Sequence, residues 1–384
     1  MTVRYAHKLV QPMSTELVAA EDIGVDPKRL ELFLARVQLE VDHGPLPSAQ
    51  VAVARRGRLV AFETYGDATN GHRYILQSVG RNVVAAVTWK LLGEGVLELE
   101  EKVADVIPEF GTNGKDVVTV EQVLTHTGGF PFAPLGYPKM LDRRSRLEAF
   151  SRWRLDWEPG SRLQFHLTSA AWVIAELVER RTGKAFAEYL RTEIVEPLGL
   201  GFVLPLSVDR FHEDLAVPTA TDRTSDDQEV DPWGPWYLAN PEILAAGEPS
   251  HSIVGSAADL VLLGQALLHS GLWDEDTVAD AIRIRRSEAP FGEQIYGGSP
   301  ETANVGLFCM VSGEHGGNSF TPRSGSPRTF GHRGAPAQLA FTDAQTGTSF
   351  AFLTNGYPLA GYDYSLQGVN LVVNVGNLGN DLIA

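Results

Sequence analysis

Strand-like runs lie at both ends of this 384-residue chain, and helical patterns fill the stretch between them. Near the start, residues 51–54 and 59–64 read as two strands joined by a tight turn. Near the end, residues 338–342 and 349–354 repeat the pattern. This order predicts an α+β fold, in which one antiparallel sheet is built from both termini, is flanked by helices and carries a mostly helical second lobe.

The chain is longer than one typical core requires, so a large unit with two lobes is expected. We predict a single unit over residues 1–384, with an α/β lobe formed by 24–77 and 251–384 and a helical lobe formed by 78–250. Hydrophobic residues make up 43% and charged residues 21%, which is ordinary for a compact globular protein. A site is expected at the seam between the lobes.

Helical spacing and capping residues predict the main helices. Apolar residues recur at helical spacing over 79–95, which predicts a buried helix. Thr119 and Ser256 are placed as N-caps of two further helices. Residues 202–249 are rich in proline, aspartate and tryptophan and are expected to form an ordered loop, and residues 365–377 are expected to form the closing helix.

Charge and cysteine content exclude several classes of partner. The formal net charge of −16 would repel a nucleic-acid backbone, so no nucleic acid is expected. Cys309 is the single cysteine, which excludes an internal disulfide and a cysteine-based metal cluster. The histidines show no paired spacing with carboxylates such as H-E-x-x-H, so no metal is expected, and no other cofactor is expected either. No apolar leader or membrane span is visible, and the expected location is cytoplasmic.

The stretch ILQSVGRNVV carries the first candidate for chemistry. Ser78 precedes the predicted helix, and Arg81 lies one turn later on the same side. A serine at this point is either a helix N-cap or a nucleophile whose developing negative charge is favoured by the positive end of the helix.

The order of five blocks then gives a family resemblance. Ser78-Val-Gly-Arg81 is followed by VLTHTGGFP, EPGSRLQFHLTSAAWVIAELVERRTG, GSAADL and GHRGAPAQLAFTDAQTGTSFAFLTN. In this order the chain resembles the serine β-lactamase and penicillin-binding-protein superfamily, and within it the class C and family VIII esterase branch. The resemblance implies a β-lactamase/transpeptidase-like fold with Ser78 as the nucleophile between the two lobes.

The same resemblance does not decide which side chain takes the proton from Ser78. The family has a lysine base where this chain has Arg81, and an arginine cannot give up its proton in a protein. Arg81 is therefore expected to stabilise an oxyanion, grip a substrate carboxylate or form a structural salt bridge. The family's tyrosine falls on Phe165 or on His166, depending on the direction of counting, and only His166 would offer a base.

The strand after these blocks supplies the opposite wall of the predicted site. By resemblance, His332 assists proton transfer or binds a substrate oxyanion, unless it is a structural strand histidine. Gly331, Gly334 and Ala335 would line the substrate, and the N–H groups of Ala335 and Ser78 would form the oxyanion hole.

Two aromatic side chains, one histidine and one aspartate complete the candidate residues. Trp233 and Trp236 either line an acyl pocket or attach their loop to the helical lobe. His126 and Asp259 are expected to be structural.

These residues support three hypotheses for function. The first is a serine hydrolase that acts on small-molecule esters or lactones through an acyl-enzyme on Ser78. The second is a ligand-binding protein that keeps the cleft for a carboxylate ligand and has lost the chemistry. The third is an acyltransferase that passes the acyl group to an alcohol or amine. β-Lactamase or cell-wall peptidase action is disfavoured because the lysine base is missing. The oligomeric state is not determined by the sequence.

Overall fold

The computed structural model describes residues 10–211, 213, 215–222, 224–225, 227–229, 234–288, 303–314, 321–359 and 366–383. The strands are β1 Ser48–Arg55, β2 Arg58–Gly66, β3 Tyr74–Ile75, β4 Thr219–Ala220, β5 Val254–Gly255, β6 Arg286–Glu288, β7 Ala303–Val305, β8 Met310–Val311, β9 Thr329–Gly334, β10 Gln338–Asp343, β11 Thr348–Thr354 and β12 Gly356–Tyr357. The α-helices are α1 Pro27–Asp42, α2 Arg81–Gly93, α3 Val103–Val106, α4 Val120–Leu124, α5 Arg143–Arg152, α6 Ser169–Thr182, α7 Phe186–Leu190, α8 Glu196–Leu198, α9 Pro235–Leu238, α10 Pro241–Ala246, α11 Ala257–His269, α12 Glu275–Ala281 and α13 Leu366–Asn380.

Strands from both ends of the chain form one antiparallel sheet, as predicted. Within the described residues its order is β2-β1-β11-β10-β9-β8-β7-β6. The N-terminal strand β1 pairs with the C-terminal strand β11 over seven residue pairs, from Ala49 with Thr354 to Arg55 with Thr348. The predicted hairpin forms between β1 and β2, and its turn places Arg56 at φ 50° and Gly57 at φ 77°.

Both faces of the sheet are covered, which explains why β1 is buried along its whole length. Successive side chains of a strand point to opposite faces. Val51 and Val53 therefore pack in a cluster with Phe33 of α1 and Val375 of α13. Ala52 and Ala54 point the other way, into the larger core that contains the interior of α2 and α11.

Capping residues define the helices that were predicted from the sequence. Thr119 accepts a hydrogen bond from the N–H of Gln122, and Ser256 accepts one from that of Asp259, each as part of a capping box. The carboxylate of Asp259 also accepts from the N–H of Gly201 at 2.6 Å. The interpretation of Asp259 as a structural residue fits these contacts.

The main differences from the prediction concern the start of α2 and the stretch 202–249. The helix expected from residue 79 begins as an α-helix at Arg81, because residues 77–80 form a turn of 3-10 helix. The stretch 202–249, predicted as loop, contains the short helices α9 and α10, each of which has a proline in its first turn. The proposed boundaries between the two lobes stay a prediction.

Candidate active site

Ser78 lies at the entrance to α2. It occupies the 3-10 turn formed by residues 77–80, and it is half-buried while Gln77 and Val79 beside it are buried. Gln77 has φ 49°, a left-handed conformation that is uncommon outside glycine. Its side chain donates to Pro235 O at 3.2 Å and to Tyr357 Oη at 3.3 Å. These anchors hold the turn in a conformation that the backbone alone disfavours.

A short strand pair brings a second segment to Ser78. Strand β3 ends three residues before Ser78, and it pairs antiparallel with β5, Tyr74 with Gly255 and Ile75 with Val254. The N–H of Leu76 continues the pairing by donating to Ile253 O at 2.9 Å. The pairing brings the segment before β5, which contains His251, next to the turn after β3, which contains Ser78.

His251 contacts the Ser78 hydroxyl directly. The Ser78 Oγ to His251 Nε2 distance is 3.2 Å. On the other side of the ring, His251 Nδ1 lies 3.0 Å from Glu248 Oε2 and 2.9 Å from Ser250 Oγ. With Nδ1–H donating to the carboxylate, Nε2 is left as an acceptor for the serine hydroxyl. The three side chains therefore form a serine–histidine–carboxylate arrangement.

The imidazole and carboxylate of this arrangement are buried, while Ser78 is half-buried. His251 is 2% exposed and Glu248 is 0% exposed. Burial, and secondarily the positive charge of Arg81, lower the pKa of His251, while the Glu248 carboxylate acts in the opposite direction. The ring is consequently held in the neutral form, which a general base needs.

Arg81 is buried below Ser78 and does not face open solvent. It is 2% exposed, and its Nη2 donates to Leu167 O at 2.6 Å. Its guanidinium also lies 6.0 Å from the ring centroid of Phe308. Its charge lowers the pKa values of His126, His251 and His332, although burial is the larger cause for each of them.

His166, one of the expected proton carriers, has both ring nitrogens occupied elsewhere. Nδ1 donates to Gln164 O at 2.7 Å, and Nε2 accepts from the N–H of Phe130 at 3.0 Å. Burial lowers its pKa to about 3. The expectation that His166 takes the Ser78 proton is therefore corrected, since its ring is committed to holding the backbone around it. His126 is likewise buried, and its Nδ1 accepts from the N–H of His166 at 3.3 Å.

His332 lies on the strand that faces the Ser78 turn. Its Nδ1 donates to Arg333 O at 2.5 Å, and its Nε2 is buried and has no hydrogen-bond partner among the described residues. A ring that donates from Nδ1 and stays neutral presents only a lone pair at Nε2. That lone pair suits a hydrogen-bond donor and not an oxyanion, which favours proton transfer among the roles expected for His332, and its role stays a prediction.

The glycines of the same strand have different surroundings. A Cβ added to Gly334 would lie 2.9 Å from Val79 N and 3.1 Å from Leu76 O, so this glycine lets the strand approach the Ser78 turn. Gly331 was expected to line the substrate, but a Cβ there would lie 2.2 Å from Ala340 O, and the residue borders a small interior cavity with Trp89 and Phe330. Ala335 follows directly after β9, next to Gly334.

Phe165 and Trp236, two of the expected aromatic residues, both pack against neighbouring side chains. Phe165 is 6% exposed and packs with Leu163 and Met310, and its ring centroid lies 6.3 Å from that of His332. The indole N–H of Trp236 donates to Pro358 O at 2.5 Å, and the ring packs against Tyr357, so this side chain attaches α9 to the segment around β12, which belongs to the predicted α/β lobe and not to the helical lobe. Trp233 lies outside the described residues.

The residues that sequence reasoning missed are Glu248, Ser250 and His251. They form the segment Glu-Pro-Ser-His-Ser just before the capped helix α11. The signal was a glutamate and a histidine three residues apart next to a recognised block. It could have been found, but their meeting with Ser78 depends on the pairing of β3 with β5, and each of those strands is two residues long.

Comparison with known proteins agrees with this fold. Residues 33–371 match the Beta-lactamase family. A penicillin-binding protein homologue from Caulobacter crescentus is 24% identical, with a TM-score of 0.72 and coverage of 91% of this chain and 97% of that one. EstA from Arthrobacter nitroguajacolicus Rue61a is 24% identical, with a TM-score of 0.73 and coverage of 94% and 98%.

A third solved structure, a family VIII carboxylesterase, is 18% identical, with a TM-score of 0.74 and coverage of 93% of this chain and 99% of that one. These likenesses establish the β-lactamase/transpeptidase-like architecture that the block order implied. Within the described part of the chain, no helix has both the length and the apolar character needed to cross a bilayer. The chain belongs to the Beta-lactamase family.

Proposed function

We propose that the protein is a serine hydrolase that cleaves small-molecule esters or lactones through an acyl-enzyme on Ser78. The observation that supports this most strongly is the 3.2 Å contact between Ser78 Oγ and His251 Nε2, with Glu248 Oε2 3.0 Å from the other ring nitrogen. This pair supplies the base that the family lysine would supply. The replacement of that lysine by Arg81 is then no argument against catalysis.

The acylation step follows from these contacts. Ser78 Oγ attacks the carbonyl carbon of the substrate while its hydrogen moves to His251 Nε2. Glu248 stabilises the imidazolium that results. When the tetrahedral intermediate collapses, the bond to the leaving oxygen breaks, and that oxygen takes the proton from His251 and departs as an alcohol. In a lactone the same oxygen stays attached to the acyl chain.

Deacylation reverses the roles. His251 takes a proton from water, the hydroxide oxygen bonds to the acyl carbon, and the ester bond to Ser78 breaks. The proton returns to Ser78 Oγ, and the carboxylic acid is released. Both steps build negative charge on the carbonyl oxygen next to the entrance of α2, where the helix dipole favours it.

The backbone N–H groups of Ser78 and Ala335 are the proposed donors to that oxygen. Their proximity is supported by Gly334, whose lack of a side chain allows the end of β9 to lie against Val79 N and Leu76 O. His332 is proposed as an acceptor for a hydrogen-bond donor of the substrate or of the departing alcohol. Its unpartnered Nε2 supports this role.

Hydrolysis of p-nitrophenyl butyrate and labelling by a fluorophosphonate test the proposal together. The native protein should release p-nitrophenol and gain one fluorophosphonate adduct by intact-protein mass spectrometry, and Ser78→Ala should do neither. Ser161→Ala is the matched control, because Ser161 is exposed and its hydroxyl donates to Glu158 O. Equal hydrolysis and labelling in Ser78→Ala would remove Ser78 from the mechanism.

The same assay separates the other two hypotheses. A protein that only binds ligands would show no time-dependent adduct. An acyltransferase would yield the ester or amide of an added alcohol or amine faster than it yields butyrate.

A further inference from the structure

A chain of hydrogen bonds connects Arg81 to His251, the histidine proposed as the base for Ser78. Arg81 Nη2 donates to Leu167 O at 2.6 Å, and Ser250 Oγ lies 3.1 Å from the same oxygen. Ser250 Oγ in turn lies 2.9 Å from His251 Nδ1 and 2.8 Å from Glu248 Oε1. The Leu167 carbonyl is thus shared by the arginine and by the group that holds the imidazole.

Ser250 connects the Leu167 carbonyl to the His251 ring in this chain. It is 0% exposed, and its own N–H donates to Glu248 Oε2 at 3.0 Å. A serine hydroxyl has one hydrogen to donate and can accept through its lone pairs. When this hydrogen is donated to Leu167 O, a lone pair of Ser250 Oγ can accept from His251 Nδ1–H together with Glu248 Oε2. The position of the Leu167 carbonyl therefore bears on how the imidazole is oriented.

A carbonyl oxygen has two lone pairs, so it can accept from Arg81 and Ser250 at once. An arginine N–H is a charge-assisted donor, which makes a shorter and stronger hydrogen bond than a neutral one. Arg81 reaches this carbonyl from the first turn of α2, three residues after the nucleophile. Through Leu167 O, Arg81 therefore fixes residues 248–252 relative to the turn that carries Ser78.

Resting on the function proposed above, we propose that Arg81 is a positioning residue that replaces the family's lysine base by a support for His251. It fixes the imidazole through the Leu167 carbonyl and Ser250, and its permanent charge favours the neutral ring. The site thereby keeps a cation one turn after the serine, while the proton is carried by a different segment.

The charged and titratable groups around His251 set the expected pH dependence. Glu248 lies on its own segment, Arg81 on α2 and His332 on β9. Arg81 opposes protonation of His251, whereas Glu248 favours it. Removing the arginine charge should therefore raise the pKa of His251, because the remaining carboxylate then acts alone against the cost of burial.

A histidine NMR titration tests this inference without depending on turnover. The His251 ring signal, assigned by its loss in His251→Gln, should titrate at a higher pH in Arg81→Gln than in the native protein. Arg146→Gln is the matched control, because Arg146 is also largely buried and donates to a carbonyl, that of Met140.

A double-mutant cycle tests the hydrogen-bond chain. Arg81→Gln and Ser250→Ala should each lower kcat for p-nitrophenyl butyrate about tenfold or more with little change in KM. Since both act through one carbonyl, the double variant should lose clearly less than the product of the two losses. The pH at which kcat/KM falls on the acid side should move upward in Arg81→Gln only.

Two results would overturn the inference. They are an unchanged His251 titration in Arg81→Gln and losses in kcat that multiply independently. If the native protein shows no hydrolysis that depends on Ser78, the proposed function fails, while the titration still decides whether Arg81 governs His251.

Discussion

At the scale of single residues, Arg81 stands where the family has a lysine, and a histidine from another part of the chain lies against Ser78. Arginine cannot act as a base, and the sequence predicted that a histidine would have to take the proton. The histidines predicted for this role were His166 and His332. The structure instead places His251 against Ser78, and it gives the nitrogens of His166 to backbone groups.

Glu248 should matter because it selects the tautomer of His251. In Glu248→Gln the amide can donate to Nδ1, which would leave the hydrogen on Nε2 and remove the acceptor for Ser78. We expect kcat for p-nitrophenyl butyrate to fall by about 10² to 10⁴, with KM nearly unchanged.

Glu242→Gln is the matched control for this prediction, because Glu242 is an exposed glutamate on the nearby helix α10. Activity in Glu248→Gln equal to that of Glu242→Gln would show that the carboxylate does not orient the ring.

At the scale of elements, the sequence predicted what local periodicity and capping determine. The β1–β2 hairpin, the pair β10 and β11, and the capped helices α4 and α11 formed as expected because their signals lie within each segment. The pairing of β3 with β5 has no such signal, since two residues are too few to show a strand period. That pairing brings His251 next to Ser78, so the sequence contains the Glu248–His251 spacing but does not show that this pair meets Ser78.

The approach of β9 to the Ser78 turn predicts the effect of a single methyl group. In Gly334→Ala the added Cβ would lie 2.9 Å from Val79 N and 3.1 Å from Leu76 O, and both are backbone atoms that cannot rotate away. The strand or the turn must therefore shift, and the alignment of Ser78 with the proposed oxyanion donors would be lost. We expect kcat/KM for p-nitrophenyl butyrate to fall by about tenfold or more, because small displacements of reacting groups are costly.

Gly71→Ala provides the comparison. The nearest atom to a Cβ there is 3.6 Å away, on the side chain of Thr69, so neither activity nor stability should change appreciably. Native activity in Gly334→Ala would contradict the close packing of β9 on the nucleophile turn.

At the scale of the whole molecule, the sheet from both termini and the helical middle were predictable because the order of strands and helices along the chain restricts the possible layers. Family membership followed from the order of the five blocks. The interior of the site was not predictable, because burial and long-range contacts decide which histidine stays neutral and which atom it faces.

Four buried histidines should make the fold sensitive to acid. Burial lowers the pKa values of His126, His166, His251 and His332 below their usual 6.5. As pH falls below about 6.5, the unfolded chain takes up protons that the folded chain does not, so the free energy of unfolding decreases. Each such histidine removes up to about 1.4 kcal/mol per pH unit, and for His166 the loss continues down to its folded pKa of about 3.

Urea unfolding at a series of pH values checks this expectation. The free energy of unfolding should fall less steeply with decreasing pH in His166→Gln than in the native protein. The same slope in both proteins would contradict the burial of an uncharged His166. His43→Gln, at the exposed end of α1, is the control for replacing a histidine elsewhere.

The most direct measurement of the central claim is kcat/KM for p-nitrophenyl butyrate near neutral pH in His251→Gln, compared with His166→Gln and His332→Gln in folded protein. The account predicts a loss of about 10² to 10⁴ in His251→Gln and much smaller losses in the other two. Native-like activity in His251→Gln, or a larger loss in His166→Gln, would contradict the assignment of His251 as the base for Ser78.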